Sequence, residues 1–151
     1  MASGRPVLDQ INIVSASMRE TIAFYRLMGI EIPDPPPGKS GEPFHVNCKT
    51  GGDTDLDLDS DAFARVWNEG WRGAGDLGGR IVIGFAVETR EAVDEMYLKL
   101  TQAGHKGLQK PWDAFWGARY AIVEDPNGIA VGLMSPQDPT KRYWPPEGWK
   151  D

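Results

Sequence analysis

The sequence predicts an α+β fold built from two tandem strand-helix-three-strand (βαβββ) modules. Three observations lead there: alternating apolar runs at corresponding places in both halves, one amphipathic helix pattern in each half, and a shared offset between them. Tyr25 and Tyr97, at equivalent points of the two helix patterns, stand 72 positions apart. Gly29 and Gly104, which stop the helices, stand 75 apart, and residues 55–60 (DLDLDS) overlay 130–135 (AVGLMS) at the same 75. A second helix about one turn longer than the first accounts for the change in offset. One such half cannot bury both faces of its sheet alone, so the halves are expected to pair.

The elements follow in order. Residues 7–14 (VLDQINIV) alternate as a strand does. Ser17 opens a helix, with Glu20 placed to complete a capping box. Ile22, Tyr25 and Met28 form the helix's apolar face, and Gly29 ends it. A short strand is expected at 30–32, then a turn-rich loop at 34–41 (DPPPGKSG), then strands at 44–48 and 55–59. A short helix over 62–67 precedes a glycine-rich stretch. The second half starts with a strand at 81–87. Thr89 caps a helix whose apolar face is Ala92, Val93, Met96 and Leu100, and Gly104 stops it. Strands follow at 105–109, 119–124 and 129–134, the last two joined by the turn Asp125-Pro126-Asn127-Gly128. One domain is expected over 1–136, with module 1 at about 7–60, a linker at 61–79 and module 2 at about 80–136. Residues 137–151 form a C-terminal tail.

The 151 residues suffice for one domain with a sizeable core. The net charge of -6 argues against nucleic acid and against an anionic membrane surface, both of which select basic proteins. It leaves room for neutral or cationic small molecules. Cys48 is the only cysteine, so neither an internal disulfide nor a thiolate metal cluster can form. Met1 leads into polar residues with no apolar signal segment, and no run is long enough to span a bilayer, so a cytoplasmic location is expected.

Four stretches carry a resemblance: the opening LDQINIV, the helix end AFYRLMGIEIP, the segment GFAVETREAVDEMY, and WGARYAIVEDPNGIAVGLMSP. Together, over about residues 7–136, they resemble the vicinal oxygen chelate superfamily of glyoxalase I, bleomycin-resistance proteins and extradiol dioxygenases. The second and fourth look like its "FY..LG" and closing "DPdGn" signatures. An unrelated α+β fold with a DPNG hairpin is the competing reading, and it explains only one of the four. The resemblance implies that the sheets curl into a cup with the helices on its convex face. The strand patterns agree: Ile81, Ile83, Phe85 and Val87 suit the helix side, while Val82, Gly84 and Ala86 suit a cavity. In the same way Ile11, Ile13, Val131 and Leu133 suit the helix side, and Gln10, Asn12, Val14, Ala130, Gly132 and Met134 the cup. The resemblance also implies a homodimer, because cups in this family are often completed across subunits and a lone curled sheet leaves edges unpaired.

Metal-dependent members take ligands from the first and last strand of each half. Carried over by register, those positions are Gln10, Asp57, Val82 and Gly132. Two of these have no donor side chain, and half a site does not hold an ion, so no metal and no other cofactor is expected. The run Asp53-x-Asp55-x-Asp57 looks superficially like a calcium loop but lacks the turn glycine and terminal glutamate. The expected role is to bind a small, aromatic or cationic molecule, a drug or metabolite, as some metal-free relatives do. Aromatic faces give contact area and can hold cations. The residues expected at the ligand are Gln10, Asn12, His45, Asp57, Asp59, Trp112, Trp116, Arg119, Tyr120 and Met134. Each has a plainer reading beside it: tryptophans as packing, the aspartates as a solvated face, His45 as a strand histidine satisfied by its neighbours. Two enzyme readings stay open. One is a metal-dependent lyase, isomerase or dioxygenase of glyoxalase type. The other is a metal-free enzyme using His45, Glu124 or Tyr120 as acid or base, although no nucleophile-base pair stands at recognisable spacing.

Overall fold

A computed structural model of the chain describes residues 10–68, 73, 75 and 81–144. The expected start of the first strand at 7–9, most of the glycine-rich linker with Trp71, and the tail from 145 onward lie outside the described residues. The chain divides into two units after Gly75.

In the first unit β1 (Gln10–Ser15), β2 (His45–Cys48) and β3 (Asp55–Ser60) form a sheet in the order β1-β3-β2. β1 runs parallel to β3, and β2 antiparallel to it. Alternation sorts the side chains: Ile13, Val46, Cys48, Leu56 and Leu58 are buried. Helix α1 (Met18–Leu27) packs on β3 and buries Met18, Thr21, Ile22, Phe24 and Tyr25. Ser60 ends β3 and caps the short helix α2 (Asp61–Trp67), its hydroxyl accepting from the Phe63 N–H at 3.1 Å.

The second unit holds β4 (Val82–Ala86), α3 (Arg90–Gln102), β5 (Gly107–Asp113), β6 (Arg119–Glu124) and β7 (Ala130–Met134), then a 3-10 turn at Pro139–Lys141. Its sheet order is β4-β7-β6-β5, with β4 parallel to β7 and the remaining pairs antiparallel. Val93 and Leu100 of α3 and Ala121, Val123, Val131 and Leu133 of the sheet are all fully buried. The Asp125 carboxylate accepts from the N–H groups of Asn127 (2.7 Å) and Ile129 (2.9 Å), which closes the β6–β7 hairpin at the expected turn.

The two units repeat each other as the offsets predict. β1 and β4 start at 10 and 82, α1 and α3 at 18 and 90, β3 and β7 at 55 and 130. The helices have 10 and 13 residues, which places the three extra residues inside α3. Both helices end in one motif. The N–H groups of Ile30 and His105 bond the carbonyls of Tyr25 and Leu100, around Gly29 and Gly104 with φ of 93° and 98°. In register, Asn12 pairs with Asp57 where Gly84 pairs with Gly132.

Three local expectations change. The strand at 30–32 shrinks to a single bridge between Glu31 and Lys49, because the prolines that follow cannot donate to a ladder. Ser17 stands at the helix start but makes no side-chain cap bond, so the capping box is absent; Thr89 does cap α3, accepting from Ala92 at 3.0 Å. β5 begins at Gly107 instead of 105, since His105 still belongs to the helix-ending motif, and it carries two register shifts.

Candidate functional site

The face of the first sheet opposite its buried leucines carries a row of polar groups. Asp57 and Asp59 sit on the central strand β3, flanked by β1 and β2. Each carboxylate takes one donor from either side. Asp57 accepts from the Gln10 amide and from Asn47 Nδ2 at 2.5 Å. Asp59 accepts from Asn12 Nδ2 at 2.8 Å and lies 2.5 Å from His45 Nδ1. The strand pattern alone explains the arrangement, because residues two apart on three adjacent strands share one face. Both aspartates are buried, at 6% and 1% exposure, and the charge-assisted bonds compensate that burial. Phe63 of α2 packs its ring 5.4 Å from the His45 ring.

On the second sheet, one face of β5, β6 and β7 bears a panel of aromatic rings. Trp112 pairs with Tyr120 across β5 and β6, and Tyr120 with Met134 across β6 and β7. Trp116, from the β5–β6 turn, lies 5.8 Å from Trp112, 5.3 Å from Tyr120 and 5.0 Å from Phe115, all edge to face. Its indole N–H donates to Met134 Sδ at 3.3 Å. The Trp112 indole N–H is buried with no hydrogen-bond partner among the described residues. Burial pushes the Tyr120 phenol above its ordinary range. Gly132 lies beneath Tyr120, where a Cβ would stand 2.7 Å from the phenol oxygen. The small set on β4 (Val82, Gly84, Ala86) is exposed.

Nine of the ten residues expected at the ligand therefore gather in two groups: Gln10, Asn12, His45, Asp57 and Asp59 on one sheet, and Trp112, Trp116, Tyr120 and Met134 on the other. Arg119 belongs to neither. It precedes Tyr120 on β6 and so takes the opposite, helix-facing side, where it pairs with Asp94 of α3 (3.0 Å) and Asp113 (3.3 Å). Asp113 is held below the usual carboxylate range chiefly by its bond from Arg90. Sequence reasoning passed over Asn47, although its alternation with His45 marks it as facing the same way. It also passed over an open cleft of about 470 Å³ lined by Phe115, Trp116, Gln137, Arg142, Tyr143 and Trp144. A second cleft, of about 350 Å³, runs between α1 and the proline loop past Arg19, Arg26 and Asp34.

A family model described as the glyoxalase/bleomycin resistance protein/dioxygenase superfamily matches residues 7–133. The chain belongs to this superfamily. Solved structures of similar fold include a glyoxalase/bleomycin resistance protein/dioxygenase family enzyme from Burkholderia phytofirmans PsJN. It is 18% identical, with a TM-score of 0.69, covering 86% of this chain and 98% of that one. A lactoylglutathione lyase from Agrobacterium tumefaciens gives 19% identity and a TM-score of 0.62, over 88% and 96% of the two chains. An antibiotic binding protein from Streptomyces sp. CB03234 gives 20% and 0.60, over 89% and 98%. These likenesses establish the fold. A comparison with curated protein sequences finds no match.

The resemblance assigns metal-ligand positions to Gln10 and Asp57 in the first unit and to Val82 and Gly132 in the second, and the side chains there offer few free donors. Both Asp57 oxygens already accept amide N–H donors, one of them from Gln10 itself. Val82 offers only hydrocarbon, and the space above Gly132 is filled by the Tyr120 phenol. Among the described residues no group of three or more His, Cys, Asp or Glu side chains could hold an ion.

Proposed function

We propose that this superfamily member binds a small aromatic or cationic molecule without a resident metal, as a drug- or metabolite-binding protein. The carrying observation is the panel of Trp112, Trp116, Tyr120 and Met134, whose phenol covers the glycine where a metal-dependent relative carries a ligand. Flat rings beside small residues give a planar molecule contact area, and few polar groups are needed to orient it. The polar face with Gln10, Asn12, His45, Asp57 and Asp59 supplies the negative charge that suits a cation. One protein of the same fold is an antibiotic binding protein, which supports the reading. Residues 1–136 act as one domain with 137–151 as a tail. The protein works in the cytoplasm as a homodimer; β1 and β4 each end their sheet, and an unpaired strand edge invites a second chain. Among the described residues no helix is long and apolar enough to cross a membrane.

A thermal-shift screen of planar aromatic and organic cationic compounds, followed by titration of the tryptophan fluorescence, tests this. A hit should bind the Trp116→Ala variant ~1–3 kcal/mol more weakly, the contribution of one buried aromatic contact. Zinc, nickel or manganese should leave the melting temperature unchanged. A metal-dependent rise in stability or activity that Asp57→Ala abolishes would overturn the proposal in favour of a glyoxalase-type lyase, isomerase or dioxygenase. Light scattering at micromolar concentration decides between dimer and monomer.

A further inference from the structure

We infer that His45 is a general base oriented by Asp59, a proton-transfer site on the polar face of the first sheet. It goes beyond ligand binding and does not depend on the aromatic panel. His45 stands directly opposite Asp59 in the antiparallel register of β2 and β3, so the two side chains meet across the strands. The distance from Nδ1 to the carboxylate is 2.5 Å. Asp59 is 1% exposed, and its other oxygen accepts from Asn12 Nδ2 at 2.8 Å. A buried carboxylate with an amide donor on one oxygen has its other oxygen left for the imidazole. It fixes the tautomer with hydrogen on Nδ1, which leaves the lone pair on Nε2. The Phe63 ring at 5.4 Å steadies the imidazole on one side. Nε2 makes no hydrogen bond among the described residues, and the side chain is 39% exposed, so a small molecule can reach it.

His45 has one nitrogen anchored and the other reachable, which is the geometry a base needs. The fitting substrate class is a small molecule with a weakly acidic C–H or O–H. Its proton passes to Nε2, the bonding electron pair stays with the substrate, and the imidazolium formed is paired with the Asp59 carboxylate. Asp59 and Asn12 are positioning residues.

Nitrobenzisoxazole is a suitable probe, because its ring opening needs only a base. The base takes the ring C–H proton, that electron pair completes the nitrile, the N–O bond breaks, and a coloured cyano-nitrophenolate leaves. No oxidant, metal or second reactant takes part. The wild-type protein should open the ring faster than buffer alone. His45→Gln should lose at least ~10-fold of that rate, less than the ~10²–10⁴-fold of a base positioned for its own substrate. Free imidazole should restore rate to His45→Gly. The orientation is read without a variant: nitrogen-15 NMR with the imidazoles in their neutral form, in a protein of only two histidines, should show His45 protonated on Nδ1. Asp59→Asn should move that proton toward Nε2. A wild-type rate no higher than that of His45→Gln, or a wild-type His45 carrying its proton on Nε2, overturns the inference.

Discussion

The phenol oxygen of Tyr120 covers Gly132: a Cβ at position 132 would stand 2.7 Å from it. The obstacle is a side-chain tip, so the ring can give way. Gly132→Ala should therefore fold, yet move Tyr120 off Trp116 and lose ~1–3 kcal/mol, as overpacking does. Near-UV circular dichroism and denaturant titration report the two effects. Adding Tyr120→Phe should recover part of the loss, and a double mutant no better than the sum of its parts would refute the contact.

Asp57 joins β1 and β2 through its two oxygens, taking amide donors from Gln10 and Asn47. Asp57→Ala should cost ~1–3 kcal/mol, because two charge-assisted bonds to a buried carboxylate are lost, while the exposed Gln10 amide can turn back to water. Asn47→Ala should cost less, since Asp57 keeps its bond from Gln10. Equal losses in urea titrations would contradict this order.

The two long helices start on residues that differ in what they do. Thr89 accepts from the Ala92 N–H, whereas Ser17 makes no side-chain cap bond. Thr89→Ala should lower stability by ~0.5–2 kcal/mol, and Ser17→Ala by markedly less. A thermal melt of each variant compares them directly.

Cys48 is 1% exposed, and burial together with the nearby Asp57 charge pushes its thiol up to about 12 from an ordinary 9.0. In the folded protein it should resist a disulfide reagent at pH 8 and react once unfolded. The sign for stability follows from linkage. Between pH 9 and 12 the unfolded chain loses this proton while the folded chain keeps it, so stability falls as pH rises. Below pH 9 this contribution is fully present. Cys48→Ala should lack that alkaline loss, measurable as the difference between the two proteins' melting temperatures across the range.

Much of this molecule was legible in the residues themselves. The 72- and 75-residue offsets revealed the repeat and even the longer second helix, because helix stops and strand alternation are local consequences of backbone geometry. Period-two alternation assigned Gln10, Asn12, His45, Asp57 and Asp59 to one side of their strands. Alternation cannot say which side a turn residue such as Trp116 takes, nor that Arg119 would find Asp94 on a helix 25 positions away. The strand at 30–32 failed for want of neighbouring donors, and the Ser17 cap for want of a side-chain bond that its spacing to Glu20 had suggested. Tertiary structure alone decided who meets whom across strands: His45 with Asp59, Asn47 with Asp57, Tyr120 over Gly132. The physical reason is that register joins residues far apart in the chain. Hydrogen-bond ladders fix that register, and a single sequence does not encode it within any local window.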